Sequence, residues 1–330
     1  MLELIQKFPE QVSEALEIGK KASFNTVYNS GINNIVICGM GGSGIGGNLF
    51  GELLRDSLSV PVNVNRAYQL PAFANEKTLV VLSSYSGNTE ETLSAAKAAL
   101  DKGLKPVCVT SGGKLEELAK ANNLDLVKIP GGMPPRACLG YSAVQLFFIA
   151  KHYGLTNDSF IAGFESAVKL MKEQQADIEV KSKVLAEQLL NKVIIAYADE
   201  KYESVALRFK QQVNENGKAE CWYNVFSEIN HNELVGWREP AQNLAVLAWR
   251  FDDENVRNTH RIKFTLDEIK KKLPNVYEVK ASGSNAFEKR FYAIHFGDWL
   301  TYQLAILGGY DPMEIDILIE LKEHMASIPM

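Results

Sequence analysis

Short apolar runs separated by glycine-rich or polar segments recur along this chain. Asn34 to Cys38 (NIVIC) is followed by GMGGSGIGG and then a helical stretch through Leu54, which reads as strand, glycine turn and helix. Val62 to Val64, Thr78 to Leu82, Pro106 to Thr110 and Leu126 to Ile129 predict further strands. An opening helix precedes them, ETLSAAKAALDKG carries Ala and Leu at helical spacing, and Lys114 to Asn122 reads as another helix. Strands alternating with helices predict a parallel sheet covered on both faces. The second half repeats the plan. Its predicted strands are Val193 to Ala198, Glu220 to Asn224, Leu244 to Arg250 and Val276 to Lys280, and its predicted helices are Tyr202 to Asn214, Thr265 to Leu273 and Ala286 to Leu307. Asn157 to Lys192 has no Pro or Gly after Gly163 and predicts one or two helices joining the halves.

The expected architecture is α/β, with two doubly wound parallel-sheet domains at 1–155 and 192–330 and a helical connection at 156–191. The halves differ in their strand-to-helix turns. The first keeps Gly and Ser there and is expected to bind the ligand. The second has charged residues and is expected to contribute chemistry or assembly.

Composition narrows the setting. The 330 residues carry 35 Lys plus Arg against 40 Asp plus Glu, a net charge of −5, which offers phosphodiester backbones no attractive field. No nucleic-acid partner is expected. A hydrophobic fraction of 46% excludes disorder as the main state. No run approaches the roughly 18 apolar residues of a membrane span, and the amphipathic, acid-bearing N-terminus is unlike a secretory signal. The expectation is a cytoplasmic protein with no membrane partner. Cys38, Cys108, Cys138 and Cys221 show no metal-ligand spacing, so reduced, packed thiols and no metal are expected.

Two turns carry candidate chemistry. Gly39-Met-Gly41-Gly42-Ser43-Gly44 satisfies GxGxxG between a strand and a helix, a dinucleotide signal. The acid expected near the end of the next strand is missing, however, since Asn65 and Arg66 stand there. An NADP site using Arg66 remains an alternative. The dense glycines would also let a compact ligand sit against bare amides. In Ser83-Ser84-Tyr85-Ser86-Gly87-Asn88-Thr89, hydroxyls at Ser84, Ser86 and Thr89 precede a helix that opens with Glu90 and Glu91. Hydroxyls at a helix N-terminus suit a phosphate group. Capping accounts for one of the three, and the absence of Lys suits a phosphomonoester that is held and not transferred. Of the five histidines, His231 alone lies in a dense polar run, EINHNE, which marks it for proton transfer near neutral pH. On composition, Glu215, Glu228 and Glu233 all compete as a base. Arg136 follows two prolines and is placed to stabilise an oxyanion.

The two turns together resemble the sugar isomerase (SIS) fold of phosphosugar-binding proteins. Gly131-Gly132-Met-Pro134-Pro135-Arg136, Asn214-Glu215-Asn216, Glu228-Ile-Asn-His231-Asn232-Glu233 and Asp311-Pro312 with Leu321-Lys322 are similar to the bifunctional phosphoglucose/phosphomannose isomerase family, nearly end to end. The resemblance implies two SIS-type domains and interconversion of glucose 6-phosphate, and of mannose 6-phosphate, with fructose 6-phosphate, a step of glycolysis and gluconeogenesis. It implies Glu215 as base, His231 as ring-opening group and Lys322 as a charge or proton-relay partner, with Arg136 at the enediolate. The phosphate would be held by Ser43, Ser84, Ser86 and Thr89 with amides near Gly42. No cofactor is implied. A homodimer is, with the histidine reaching across from the partner chain. Met313 stands where the family pattern has a small polar residue, which bears on the pocket near C2. A phosphosugar-binding sensor without catalysis would need the cradle alone.

Overall fold

The computed structural model describes residues 1–328. Two wholly parallel sheets form its frame, one of five strands and one of four. After α1 (Leu2–Gln6) and α2 (Phe8–Lys21), the chain runs through β1 (Asn34–Cys38), α3 (Gly41–Leu53), β2 (Val62–Asn65), β3 (Thr78–Ser83) and α4 (Glu90–Asp101). It continues through β4 (Val107–Thr110), α5 (Gly113–Ala121), β5 (Leu126–Lys128) and α6 (Leu139–His152). The sheet order is β2-β1-β3-β4-β5. Alternate residues of each strand enter different cores: Ile35, Ile37, Leu79 and Val81 face one, while Val36, Cys38, Val80 and Leu82 face the other. Burial on both faces is why these strands read as unbroken apolar runs.

The second sheet is built by β6 (Val193–Ala198), β7 (Cys221–Val225), β8 (Leu244–Arg250) and β9 (Val276–Lys280) in the order β7-β6-β8-β9. That order repeats the first four positions of the other sheet. Around it lie α7 (Ser159–Leu189), α8 (Glu203–Glu215), α9 (Phe226–Ile229), α10 (Val256–Lys270) and α11 (Ala286–Gly308), and α12 (Asp316–Ala326) ends the described chain.

Four differences from the sequence-based expectation have physical causes. The glycine run is not a turn: α3 begins at Gly41 and contains Gly42, Gly44, Gly46 and Gly47. A Cβ on Gly46 would lie 3.3 Å from the Ala143 backbone, and one on Gly47 would lie 3.0 Å from Val64. Several of these glycines therefore let α3 pack against α6 and the sheet, and only the first face outward. The stretch Asn157 to Lys192 is a single helix, α7, and more than a connection. Phe160, Phe164 and Met171 enter the first core while Ile178, Ala186 and Leu189 enter the second. The helix read from Thr265 begins nine residues earlier, at Val256, where Asn255 caps it by accepting from Arg257 N at 2.9 Å. α6 was not foreseen, because all twelve residues from Leu139 to Ala150 are buried and a helix apolar all round has no periodic face.

α11 lies between the cores, contributing Phe291 and Ile294 to one and Phe296, Trp299 and Leu300 to the other. His295 in its middle is fully buried, stacked on Phe8 at 5.9 Å, and accepts from Trp299 Nε1 at 3.3 Å. Burial drives its imidazole from 6.5 down to about 4. Above pH 6.5 the ring is neutral folded or unfolded, and between 6.5 and 4 only the unfolded chain takes the proton. Stability therefore falls as pH drops through that window, by on the order of 3 kcal/mol from this group. Urea titrations at stepped pH should show this loss, and His295→Gln should flatten it; an unchanged slope in the variant would assign the effect elsewhere.

Candidate active site

β1 and β3 are neighbours whose following connections leave in opposite directions, so their carboxyl ends open a crevice of the kind that takes ligands in such sheets. Both singled-out turns lie there. The N-termini of α3 and α4 point into this region, and the first amides of each have no intrahelical partner. Ser43 is buried in the first turn of α3, and Gly42 is partly exposed beside it. The Ser84 and Thr89 hydroxyls are 2.8 Å apart, and Ser86 is exposed with its Oγ accepting from Asn88 N at 3.2 Å. Thr89 is the N-cap residue of α4, yet its side chain makes no capping bond, which leaves its hydroxyl for other work. Gly87 holds the turn at φ +67°, where a Cβ would lie 1.8 Å from the Gly112 carbonyl.

The PPRA segment borders this crevice. The Tyr85 hydroxyl accepts from Met133 N at 3.2 Å, and the Pro135 carbonyl lies 3.3 Å from where a Gly42 Cβ would be. Pro135 starts a short 3-10 turn that carries Arg136 inward, leaving its side chain 4% exposed. Its Nε donates to Asn216 Oδ1 at 2.8 Å, and Nη2 donates to the carbonyls of Pro312 at 2.7 Å and Met313 at 3.1 Å. Nη1 lies 3.6 Å from Glu215 Oε2. Burial lowers the guanidinium's pKa, opposed by Glu215, Asp311 and Glu314. Glu215, the last residue of α8, keeps 35% of its side chain exposed. A carboxylate beside a fixed cation, open on one side, suits proton transfer next to a developing negative charge.

His231 and Lys322 do not join this group. His231 is exposed in the loop after α9, and no hydrogen bond or ion pair among the described residues links it to Glu215 or Arg136. The 15 residues between Glu215 and His231 contain β7, so the two stand toward opposite ends of a five-residue strand, roughly 16 Å of rise. Lys322 is exposed on α12. The rival bases are differently placed. Glu233 accepts from Tyr197 Oη and, at 2.7 Å, from Asn224 Nδ2, so it braces its own loop. Glu228 is exposed and accepts from Asn232. Arg66 donates to Asn48 Oδ1 at 2.6 Å. The four cysteines are buried, and burial raises their thiols to about 11 or 12. No cluster of His, Cys, Asp and Glu fit for a metal occurs among the described residues, and none of the described helices is long and apolar enough to cross a membrane.

Sequence reasoning missed the support beneath Arg136. Arg208 Nη2 donates to both oxygens of Asp298 at 3.0 and 2.9 Å and to the Arg136 carbonyl at 3.2 Å. Gln212 Nε2 adds a bond to Asp298 at 2.9 Å, and Asn216 Nδ2 donates to Thr301 at 3.3 Å. Arg208 and Gln212 share one face of α8 at i and i+4, which was the available signal. Lys218 was missed too; its Nζ donates to the Glu215 carbonyl at 2.8 Å and to Glu314. Removing one partner of the buried Arg208–Asp298 pair strands a charge, so Asp298→Asn should destabilise by about 3–5 kcal/mol. Urea unfolding measures this, and a cost under about 1 kcal/mol would show that the pair does not hold the two elements.

Family models match both halves of the chain. Residues 178–325 match the bacterial phospho-glucose isomerase C-terminal SIS domain, and residues 30–130 match the SIS domain. The bifunctional phosphoglucose/phosphomannose isomerase of Caldicellulosiruptor bescii is 39% identical, covering 99% of each chain. The enzyme of the same name from Aquifex aeolicus is 35% identical over 88% of this chain and 90% of its own. Among solved structures, the C-terminal domain of glucosamine-fructose-6-phosphate aminotransferase from Francisella tularensis superposes with a TM-score of 0.75 at 17% identity, over 94% of this chain and 96% of that one. It shares the fold. With end-to-end identity at this level to named relatives, the chain belongs to the bifunctional phosphoglucose/phosphomannose isomerase family.

Proposed function

We propose that this protein interconverts glucose 6-phosphate, and also mannose 6-phosphate, with fructose 6-phosphate, a cytoplasmic step common to glycolysis and gluconeogenesis. The carrying observation is the Glu215 carboxylate 3.6 Å from the buried Arg136 guanidinium, on a loop that also borders the hydroxyl turn. Residues 1–155 supply the phosphate cradle, 156–191 the connecting helix, and 192–330 the base and the histidine. The phosphomonoester sits against Ser43, Ser84, Ser86 and Thr89 and the amides near Gly42. His231 moves a proton from the O1 hydroxyl to the ring oxygen as the C1–O5 bond breaks, which leaves the open-chain aldehyde. Glu215 then removes the C2 proton, the C1 carbonyl takes up the electron pair, and Arg136 stabilises the enediolate. Transfer of the O2 proton to O1, with return of the proton from Glu215 to C1 as the C2–O2 carbonyl forms, gives the ketose. Rotation about C2–C3 admits both C2 epimers, and the contact of the Met313 carbonyl with Arg136 supports a role for Met313 in shaping the pocket near C2.

Because β7 keeps Glu215 and His231 apart within one chain, the site is completed in a homodimer by the partner's His231. Lys322 acts as a charge partner in that assembly. No cofactor or metal takes part in these steps.

Purified protein given fructose 6-phosphate should form glucose 6-phosphate and mannose 6-phosphate, assayed separately. Glu215→Gln should lower kcat by about 10² to 10⁴ with little change in KM; an unaltered kcat would remove Glu215 from the mechanism. Glucose 6-phosphate alone would locate the restriction near C2, and no product with retained ligand binding would favour a sensor. Mixing inactive Glu215→Gln with inactive His231→Ala tests the shared site. Random pairing should recover about a quarter of wild-type activity, one intact site in each heterodimer, whereas a dead mixture would mean that both groups come from one chain.

A further inference from the structure

The phosphate cradle and the proposed base are carried by two helices that lie side by side and run in opposite directions. α3 brings Gly42 and Ser43 to the crevice with its first turn, and α8 brings Glu215 there with its last. Those two ends meet through one segment, since the Pro135 carbonyl lies 3.3 Å from where a Gly42 Cβ would be and Arg136 Nε donates to Asn216 Oδ1 at 2.8 Å. Between the ends the helices pack together, with Leu207 of α8 against the core that holds Ile45 and Leu49 of α3. A sugar phosphate that is to react must reach both ends at once, and its own covalent bonds limit how far its phosphate can stand from its C2.

The opposite ends of the same two helices are joined by Glu52. It lies in the last turn of α3 and reaches the first turn of α8, where its Oε1 accepts from Ser204 N and its Oε2 from Ser204 Oγ, each at 2.6 Å. Arg290 Nε of α11 donates to the same Oε2 at 3.2 Å. The Tyr202 side chain at the N-cap of α8 makes no capping bond, so Glu52 caps that helix from another one. Burial pushes the Glu52 carboxyl up, and Arg290 and the Ser204 bonds oppose that shift. Gly41 and Glu52 are eleven positions apart, and so are Ser204 and Glu215, about 16 Å along either helix. A tie at the Glu52 end therefore sets how the two helices stand against each other at the crevice end.

We propose that Glu52 is a positioning residue, which fixes the slide of α3 along α8 and with it the distance from the phosphate cradle to Glu215. The inference rests on the reaction proposed above, with Glu215 as its base, and adds the group that spaces that base from the phosphate. Packed helices slide past one another by small shear steps. Two short charge-assisted bonds from one residue of α8 to one carboxylate of α3 oppose that slide. On this reading the reach of the Glu52 side chain governs catalysis, and its charge governs stability through Arg290, which is 1% exposed.

Two variants separate reach from charge. Glu52→Asp keeps the charge beside Arg290 and withdraws the acceptors by one methylene, about 1.5 Å. Glu52→Gln keeps the reach and leaves Arg290 without a counter-charge. The two should rank in opposite orders, with Glu52→Gln lower in melting temperature and Glu52→Asp lower in kcat, by about 10- to 100-fold for a misplacement of this size. Glu52→Gln should hold kcat within about threefold, and inhibition by inorganic phosphate, which needs the cradle alone, should stay within about twofold of wild type in both. An unaltered kcat in Glu52→Asp, or a fall in kcat matched by an equal loss of phosphate affinity, would overturn the proposal. So would a kcat lower in a folded Glu52→Gln than in Glu52→Asp; if Glu52→Gln does not fold, the split between kcat and phosphate affinity in Glu52→Asp decides alone. If the wild type forms no isomerase product, calorimetric titration with fructose 6-phosphate and with inorganic phosphate reads the same spacing. A Glu52→Asp protein that binds fructose 6-phosphate more weakly and phosphate as before would then keep the positioning role and reject the reaction, whereas equal effects on the two ligands, or none, would overturn both.

Discussion

A buried guanidinium must place all its donors, and at Arg136 that requirement ties together three distant parts of the chain. Arginine cannot shed its charge and presents donors in a fixed plane, so burying it is tolerable only with partners on each side. The end of α8 supplies Asn216, the segment after α11 supplies two carbonyls, and Glu215 faces the remaining nitrogen. Position at the site is therefore inherited from packing. The Arg208–Asp298 pair, which touches no open surface, fixes the carbonyl of the same residue. Glu215 itself is held lightly, with 35% of its side chain exposed, which suits the base it is proposed to be.

The two sheets share a strand order yet treat their corresponding crevices in opposite ways. Beyond β1 and β3 lie Gly39 to Gly42 and Ser84 to Thr89, where Gly41 and Ser86 are exposed and Ser84 and Thr89 pair only with each other among the described side chains. Beyond β6 and β8, Asp253 takes Lys201 at 2.5 Å and Lys289 at 3.2 Å, and Asp199 and Glu200 both accept from Asn258 at 2.9 Å. Those ion pairs hold Asp253 down to about 2. One crevice has spare donors for an anion, and the other has consumed its charges internally. The Gly/Ser against charged contrast in the sequence matches this difference between the crevices, and Glu215 stands at a helix end and not in the second crevice.

Strands buried on both faces were legible because they announce themselves as apolar runs, and so were the hydroxyl turn and the Pro-Pro-Arg segment. α6 was hidden by the same burial, since helix and strand periodicity vanish together when every face is covered. The glycine run misled through a real signal, as its later members serve close helix packing and not ligand approach. The Arg208–Asp298 pair joins residues 90 apart, and no local pattern encodes such a partner.

The separation between Glu215 and His231 is not one a loop movement can close. The His231 loop is pinned by Glu233 to Tyr197 and Asn224, by Trp237 Nε1 to the Tyr197 hydroxyl at 3.2 Å, and by Phe226, Ile229 and Trp237 in the core beneath it. Folding it back toward Glu215 would expose those side chains, at about 1.5–3 kcal/mol for each one returned to water, and would break the bonds to Tyr197 as well. Bringing a second rigid copy to the first would leave every one of these contacts intact, which is the physical support for the shared site proposed above.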